Sequence, residues 1–409
     1  MKKITMAVCF TAISAFAQWG GGMGGGGFGG PQSGDNKMEY SEKFADVNYV
    51  GDEKKYHAMD IYLPKEAKDL YPVVIHTYGS AWSMNDYKGS ADLNTICAAL
   101  LKAGYAVVTP NHRSASDAIY PAQLHDLKAV VRFLRGNADK YKIDTSFIAM
   151  SGFSSGGHLS SLVATTCGLK EGKSGSVTVD LEGDLGSFTS FSSCIDAATL
   201  WSPPTDIYTM NPIKNFTGNG TYEGAFIGAE REGNEDKWRV ASSPYYASED
   251  DVPTILFHGT ADQIVNPEQS KELYDSLQKY KVKSELISVS GGTHGGKEMY
   301  SDENLEKMTS FFDEIRKVKS EKPDSSSDET TRFIANKNVS RFDVKLEGNK
   351  LRVYGTETSR YKVYSVDGAY ASRGLIQKQL DLSALPPGIY GIIVSVPSGE
   401  QKILKFVRK

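Results

Sequence analysis

One serine of this chain lies in a sequence that suits nucleophilic chemistry. Residues 152–156 read Gly-Phe-Ser-Ser-Gly, and this is the only G-x-S-x-G sequence in the chain. Small residues on both sides of a serine let the backbone turn sharply from a strand into a helix, which presents the hydroxyl above the edge of a sheet. An apolar strand pattern at 147–150 precedes the turn and a helical pattern at 155–164 follows it. An ordinary strand-to-helix turn is the alternative, but the flanking elements predict that Ser154 is a nucleophile.

A serine hydroxyl attacks near neutral pH only when a base removes its proton. The chain contains seven histidines. If the partners follow the chain order Ser…Asp/Glu…His, the base is His294, which lies among glycines in residues 290–296. His258 is the rival, although its place at a strand end favours support of a loop, and His158 favours packing within its helix. The other four histidines precede the serine and are interpreted as structural: His57, His76, His112 and His125.

An acidic residue must orient the histidine and stabilise its charged form. Asp262 lies in residues 258–265, in the loop after the penultimate predicted strand and ahead of His294. Asp206, which follows the preceding strand, is the alternative and otherwise serves as a loop or cap residue. We predict Asp262 as the acidic member, with Asp206 left open.

Attack on an ester carbonyl also needs donors for the negative charge that develops on its oxygen. The backbone N–H of Ser155, directly after the nucleophile, is one candidate. Residues 78–82 read Tyr-Gly-Ser-Ala-Trp after an early strand, so the N–H of Ser80 or Ala81 is the second candidate, unless this is a plain glycine turn. Three aromatic residues near strand ends are candidate walls of a substrate pocket or else core residues: Trp82, Tyr120 and Trp201.

The elements that position these residues alternate along the chain. Short apolar runs are separated by longer helical patterns, and the runs lie at 73–75, 105–108, 147–150, 197–201, 254–257 and 285–289. Repeated alternation of strands and helices predicts an α/β fold with a mostly parallel central sheet covered on both faces. Ser154, Asp262 and His294 each lie in the loop or turn that follows one of the predicted strands.

Composition divides the chain into five segments. Two lysines precede an apolar run and a small-residue cleavage site at the start, which is typical of a secretory signal peptide, and no later run approaches the length of a transmembrane helix. Ten of the 40 glycines then lie between residues 20 and 34. The predicted segments are a signal peptide (1–17), a glycine-rich tether (18–37), a catalytic domain (38–318), a polar linker (319–331) and a small antiparallel β-module (332–409). We therefore expect a secreted protein.

Three cysteines remain after the signal peptide is removed, so at least one must be free. Cys97 lies in an apolar helical run and is interpreted as buried. Cys167 and Cys194 flank a polar, glycine-rich segment and could close it as a disulfide in an oxidising compartment. The chain contains no C-x-x-C pair, and we expect neither a metal ion nor another cofactor.

Charge argues against one class of partner. The 46 Lys and Arg and the 50 Asp and Glu give a net charge of −4, which is unlike a dedicated nucleic-acid binder. From residue 331 onwards, 14 Lys and Arg stand against 6 Asp and Glu, so the C-terminal module is basic and the remainder acidic. Hydrophobic residues make up 40% of the chain, which is enough for a large core.

Taken together, the motifs resemble the α/β-hydrolase superfamily and, within it, the bifunctional feruloyl and acetyl xylan esterases and related short-chain carboxylesterases. The resemblance spans residues 40–318 and is carried by Pro-Ala-Gln-Leu-His-Asp (121–126), Gly-Phe-Ser-Ser-Gly-Gly-His-Leu (152–159), Trp-Ser-Pro-Pro-Thr-Asp (201–206), His-Gly-Thr-Ala-Asp (258–262) and Gly-Thr-His-Gly-Gly (292–296). It implies a serine esterase that forms an acyl-enzyme on Ser154, with His294 as base and then acid and Asp262 as its orienting partner. The implied substrates are acetyl or feruloyl esters on plant-wall xylan.

Two departures from that family's pattern affect the candidate site. Residues 78–82 stand where the family has His-Gly-Gly-Gly/Ala-Trp, while His76 lies two residues earlier. Residues 111–113 read Asn-His-Arg where the family has Asp-Tyr-Arg. The first departure leaves the identity of the oxyanion donor open, and the second predicts different hydrogen bonding in its loop.

The tail has a resemblance of its own. Residues 380–390 and 402–407 are similar to C-terminal sorting domains of type IX secretion, which implies that export machinery is a partner of this module. A carbohydrate-binding or surface-binding role is the alternative. For the catalytic domain, a general short-chain carboxylesterase, a serine peptidase of the same fold and a non-catalytic binding protein are the competing hypotheses.

Overall fold

The structure, a computed structural model, describes residues 37–89, 92–215, 218–321, 343–354, 359–365, 370–376, 379–395 and 401–408. The predicted signal peptide, nearly all of the glycine-rich tether and most of the linker lie outside the described residues. Among the residues that are described, no helix is both long and apolar enough to cross a membrane.

A large sheet lies at the centre of the domain that ends at Glu321. The strands of this domain are β1 (Glu42–Asn48), β2 (Ala58–Leu63), β3 (Tyr71–Thr77), β4 (Ala106–Pro110), β5 (Ile143–Phe153), β6 (Glu171–Ser174), β7 (Val177–Asp180), β8 (Ala198–Trp201), β9 (Thr254–Gly259) and β10 (Ser284–Val289). Eight of them form one sheet in the order β1-β2-β4-β3-β5-β8-β9-β10. Within this sheet β4, β3, β5, β8, β9 and β10 run parallel to one another, and β2 pairs antiparallel with both β1 and β4. The predicted α/β fold with a mostly parallel sheet is confirmed.

Helices cover both faces of this sheet. They are α1 (Ala98–Lys102), α2 (Ala122–Gly136), α3 (Ala138–Tyr141), α4 (Ser155–Thr165), α5 (Tyr222–Ile227), α6 (Glu235–Arg239), α7 (Glu268–Lys279) and α8 (Asp302–Glu321). Apolar side chains of α2, α4 and α7 form one core with the sheet, and those of α1 and α8 form a second core on the opposite face. Because successive residues of a strand point to opposite faces, Val73 and Ile75 belong to the first core and Val74 to the second.

A polar excursion leaves the domain between α4 and β8. It contains the β6–β7 hairpin, and a disulfide joins Cys167 to Cys194 at its two ends. Glu182 within the excursion accepts hydrogen bonds from Arg132, at 2.7 Å, and from Lys128, at 3.2 Å, on α2. Both cationic side chains are almost fully buried. The excursion is therefore attached by a covalent bond at its base and by ion pairs near its middle.

The thiols of the mature protein are expected to reflect this pairing. The two bonded cysteines are 27 residues apart in sequence, and closing a loop of that length stabilises the folded state by roughly 3.5 kcal/mol in the chain-entropy model. Thiol labelling of the unreduced, denatured mature protein should modify only Cys97, which is free and buried in the native structure. Cys97→Ser, as the matched control, should leave no reactive thiol. Labelling of three thiols in the wild type would contradict the disulfide.

The C-terminal residues form a separate small β-structure. Its strands are β11 (Asp343–Glu347), β12 (Lys350–Tyr354), β13 (Ser359–Ser365), β14 (Tyr370–Ile376), β15 (Gln379–Asp381), β16 (Gly388–Ser395) and β17 (Gln401–Arg408). They make two antiparallel sheets, β11-β12-β15 and β14-β13-β16-β17, around an apolar core of their own. The predicted small antiparallel module is confirmed. Lys362 of this module forms an ion pair with Asp250 of the larger domain.

The larger domain extends slightly beyond its predicted end at residue 318. Helix α8 continues to Glu321. Lys319, which the sequence predicts as part of the linker, donates a hydrogen bond from Nζ to Asp196 Oδ1 at 2.6 Å. This contact holds the last turn of the helix against the domain, although the composition from residue 319 onwards is polar.

Candidate active site

Ser154 occupies the sharp turn between β5 and α4. Its backbone has φ +54° and ψ −126°, a conformation that is unfavourable for a residue with a side chain. The N–H of Ser154 donates to the Trp201 carbonyl at 2.8 Å, which helps to hold the turn. A Cβ atom at Gly156 would lie 2.2 Å from the Thr77 carbonyl oxygen, and one at Gly152 would lie 2.3 Å from that of Gly156. Glycine is therefore required on both sides of the serine.

His294 lies beside this serine, in the loop that follows β10. Its Nε2 atom is 2.9 Å from Ser154 Oγ, and its Nδ1 atom is 2.8 Å from Asp262 Oδ2. The three residues, contributed by loops after β5, β9 and β10, are each less than 10% exposed. The imidazole also packs against the ring of Phe153, with centroids 4.9 Å apart. The structure thus brings the predicted nucleophile, base and acid into one hydrogen-bonded row.

Asp262 is held as an ionised carboxylate. Its Oδ1 atom accepts the backbone N–H groups of Ile264 at 2.9 Å and Val265 at 3.0 Å. Burial alone would raise the pKa of this carboxyl, but hydrogen bonds from His258 and His294 outweigh burial and hold the pKa well below its usual value. An ionised carboxylate only accepts hydrogen bonds, so the His294 proton resides on Nδ1. Nε2 is then free to accept the proton of Ser154.

The alternative acid and the two alternative bases have other partners. Asp206 accepts the backbone N–H of Tyr208 at 3.0 Å within its own turn. His258 lies between Ser270 Oγ, at 2.6 Å, and the Val265 carbonyl, at 2.9 Å, with Nε2 3.3 Å from Asp262 Oδ2. His258 therefore supports the loop that carries Asp262. Its position in the sequence predicts support of a loop, but not this contact with Asp262.

His158 is also a structural residue. Its Nδ1 atom lies 3.2 Å from Trp82 Nε1, and its Nε2 atom lies 2.7 Å from the Ala241 carbonyl. Burial lowers its pKa to about 4, so the ring is neutral near neutral pH. Because Trp82 Nε1 only donates, the His158 proton is on Nε2 and is donated to Ala241.

The candidate oxyanion donors lie in the loop at 79–81 and at the start of α4, next to Ser154. The loop at 79–81 runs directly against the nucleophile, since a Cβ atom at Gly79 would lie 2.7 Å from Ser154 Cβ. The N–H of Ser80 donates to Ser155 Oγ at 2.8 Å. In the described part of the chain, no hydrogen bond engages the N–H of Ala81 or of Ser155. Of the two alternatives in this loop, Ala81 is therefore the one whose backbone donor is available.

The two departures from the family pattern contact each other. The rings of Tyr78 and His112 are stacked, with centroids 4.8 Å apart and an interplanar angle of 18°. Tyr78 donates its hydroxyl to the Met84 carbonyl at 3.1 Å, and His112 is bonded to the Arg113 carbonyl at 2.8 Å. His76 does not take the place of the family histidine, because its side chain pairs with Asp92 at 3.0 Å.

The three candidate pocket walls are buried. Trp201 is 0% exposed and stacks between Phe257 and Tyr300 in the core formed with α1 and α8. Trp201 therefore fits the core alternative, since its ring belongs to the second core, and Trp82 and Tyr120 belong to the first core. Those two residues are 2% and 6% exposed and pack on Phe226.

Metal ligands would have to come from clusters of acidic, histidine or cysteine side chains. Within the described residues, no group of three or more such side chains is placed to hold a metal ion.

Known proteins with a similar sequence or structure include esterases. The BD-FAE family model matches residues 59–277. A solved carbohydrate esterase from gut microbiota, in truncated form, is 40% identical, with a TM-score of 0.65 and coverage of 70% of this chain and 99% of that one. A bifunctional GH43-CE protein of Bacteroides eggerthii is 42% identical, with a TM-score of 0.64 and coverage of 67% of this chain and 35% of that one.

Curated relatives are more distant. An isoprenylcysteine alpha-carbonyl methylesterase of Arabidopsis thaliana is 28% identical over 253 residues, which are 60% of this chain and 55% of the relative. The chain spans about half the length of the first curated relatives that it matches.

Proposed function

Because this chain belongs to the BD-FAE family, with an α/β-hydrolase fold, we propose that it is a carboxylic ester hydrolase that uses Ser154, His294 and Asp262. The observation that carries this proposal is the continuous row from Ser154 Oγ through His294 to Asp262, with contacts of 2.9 and 2.8 Å. A histidine held in this tautomer by a carboxylate is positioned to remove a serine proton.

The reaction proceeds in two halves. Ser154 Oγ attacks the carbonyl carbon of the ester as His294 Nε2 takes the hydroxyl proton, and the carbonyl electrons move to oxygen. The N–H groups of Ser155 and Ala81 stabilise the resulting oxyanion. The oxyanion then collapses, the bond to the alcohol breaks, and His294 gives its proton to the departing alcohol oxygen. The acyl group remains on Ser154.

The second half regenerates the serine. A water molecule transfers a proton to His294 Nε2 as its oxygen attacks the acyl carbon. The bond from that carbon to Ser154 Oγ then breaks, and His294 returns the proton to the serine. Throughout both halves, Asp262 stabilises the imidazolium without itself becoming protonated, which agrees with the lowered pKa of its carboxyl.

Acetyl or feruloyl esters on plant-wall xylan are the substrates that we propose. The sequence motifs resemble bifunctional esterases of that specificity, and two solved relatives at 40% and 42% identity are named as a carbohydrate esterase and as a GH43-CE protein. The first of these is covered over 99% of its length by this chain. These relationships favour a carbohydrate ester over a peptide or a lipid.

A substrate panel tests this assignment. The purified protein should be assayed on acetylated xylan, methyl ferulate, p-nitrophenyl esters of increasing acyl length and peptide anilides. Release of acetate or ferulate with the highest kcat/KM is the expected result. Preference for simple p-nitrophenyl esters alone would favour a general short-chain carboxylesterase, as the curated relative named a methylesterase also suggests. Cleavage of anilides alone would favour a peptidase.

Secretion is the second part of the proposal. The predicted signal peptide and the tail that resembles type IX sorting domains support an exported protein whose C-terminal module is handled by export machinery. The disulfide between Cys167 and Cys194 is consistent with an oxidising compartment.

Removal of the C-terminal module should leave catalysis intact. A chain that ends at Glu321 keeps every proposed catalytic residue, and the ion pair between Lys362 and Asp250 lies near the surface, where such pairs contribute about 0–1 kcal/mol. We expect kcat and KM for a small soluble ester to stay close to those of the full-length protein, because the truncation removes none of the proposed catalytic residues. Loss of this activity would show that the module completes the catalytic domain.

The same truncation should change the destination of the protein in its native host. Full-length protein is expected outside the cell, and the truncated form in the periplasm. If export is unchanged and only hydrolysis of insoluble xylan falls, the module binds substrate instead of directing export.

A further inference from the structure

The residue after the proposed nucleophile carries a hydroxyl whose surroundings are unusual. Ser155 is the first residue of α4 and only 1% exposed. Its Oγ atom accepts the backbone N–H of Ser80 at 2.8 Å. This contact joins the start of the helix to the loop at 79–81, which runs against Ser154. The Ser80 donor is therefore directed to the Ser155 side chain.

The hydrogen of this hydroxyl has no acceptor in the described protein. A serine hydroxyl can accept two hydrogen bonds and donate one. Ser155 Oγ accepts from Ser80, and none of the hydrogen bonds of the described residues has Ser155 Oγ as its donor. A buried donor without an acceptor lowers the stability of the folded state. Such a cost at a catalytic site is commonly associated with a function of the unpaired group.

The neighbouring donors show which ligand would satisfy it. The backbone N–H groups of Ala81 and Ser155 are unengaged among the described residues and lie on the two segments that the Ser80–Ser155 contact joins. The Ser155 hydroxyl and these two N–H groups are therefore three hydrogen-bond donors on the two segments that meet in a corner beside Ser154. A group with negative charge on oxygen is the ligand that such a corner binds best.

We propose that the Ser155 hydroxyl is a third oxyanion donor, in addition to the backbone N–H groups of Ser155 and Ala81. The proposal rests on the esterase function stated above. The Ser80 N–H polarises Ser155 Oγ by donating to it, which strengthens the hydrogen bond that Ser155 gives to the substrate oxygen. Ser80 thus acts through Ser155 and is a positioning residue, whereas Ser155 touches the reacting atom.

Ser155→Ala tests this role, because it removes a single oxygen atom at the first position of a helix. Loss of one oxyanion donor typically lowers kcat by about 10²- to 10³-fold. Since Ser80 N–H becomes available in the variant, we expect a smaller loss of about 10- to 100-fold in kcat, with KM for a p-nitrophenyl ester unchanged. Ser155→Thr keeps the hydroxyl and should retain more activity than Ser155→Ala.

A transition-state mimic separates this role from a structural one. A trifluoromethyl ketone adds to a serine hydroxyl and forms a tetrahedral adduct that carries an oxyanion. Its inhibition constant should rise in Ser155→Ala by the same factor by which kcat/KM falls, since both report binding of the oxyanion. Ser160→Ala, a buried serine of the same helix whose hydroxyl donates to the Ser151 carbonyl, should change neither quantity.

Two results would overturn the proposal. If Ser155→Ala matches the wild type in kcat and in ketone inhibition, the Ser80 N–H serves the oxyanion equally well and the hydroxyl is not a catalytic donor. If kcat falls but ketone inhibition does not change, the hydroxyl acts elsewhere in the cycle. A wild-type protein that hydrolyses no ester and does not bind the ketone would instead overturn the esterase function, and this inference with it.

Discussion

Ser154→Ala is expected to lower kcat for ester hydrolysis by about 10⁴- to 10⁶-fold while the protein remains folded. The variant loses the atom that forms the acyl-enzyme, and only the oxyanion donors and substrate binding remain to accelerate attack by water. The measurement is kcat on a p-nitrophenyl ester, together with a thermal unfolding midpoint to establish that the fold persists.

Ser151→Ala is the matched control. Ser151 is a fully buried serine on the same strand, three residues before the turn, and its hydroxyl has no hydrogen-bond partner in the described structure. Its loss should leave kcat within about twofold, because it removes an unpaired polar atom far from the acyl carbon. Near-normal turnover by Ser154→Ala would reject Ser154 as the nucleophile.

Asp262→Asn is expected to reduce kcat by about 10⁴-fold at neutral pH. The asparagine amide can donate a hydrogen bond to His294 Nδ1, which would place the imidazole proton on Nε2. That atom, 2.9 Å from Ser154 Oγ in the wild type, could then no longer accept the serine proton. The loss should appear in kcat with little change in KM, since Asp262 does not touch the substrate.

Asp206→Asn provides the comparison for this prediction. Asp206 accepts backbone N–H groups in its own turn, a role that the asparagine oxygen can fulfil. Its kcat should remain within about tenfold of the wild type, which corresponds to no more than about 1.4 kcal/mol in the barrier. A larger loss in Asp206→Asn than in Asp262→Asn would make Asp206 the acid of the site.

The fold and the row of Ser154, His294 and Asp262 could be predicted because both depend on order along the chain. Alternating strand and helix patterns determine a parallel sheet with helices on both faces. Loops at the carboxyl ends of neighbouring parallel strands converge, so Ser154, Asp262 and His294 meet even though 140 residues separate the first from the last. A short motif at each strand end therefore indicates a candidate for each position of the row.

The surroundings of the row depend on information that the motifs do not contain. Whether Trp201 lines a pocket or fills the second core is decided by which face of β8 it points to, and a shift of one residue in strand register reverses that face. The contact between Ser80 N–H and Ser155 Oγ depends on how closely the loop at 79–81 approaches α4. The sequence shows that a second serine, Ser155, lies in residues 152–156, but it does not show that the hydroxyl of this serine contacts Ser80.

The stacked pair of Tyr78 and His112 has a consequence for how such chains are compared. At these two positions the resembled family has a histidine and a tyrosine, so two apparent departures are one exchange between rings whose centroids are 4.8 Å apart. A comparison that scores each alignment column independently counts this exchange as two unrelated losses near the active site. Each ring is the stacking partner of the other, so the two positions are better compared as a pair. A chain that lacks the family histidine at the first position should therefore also be compared with the family at the second position.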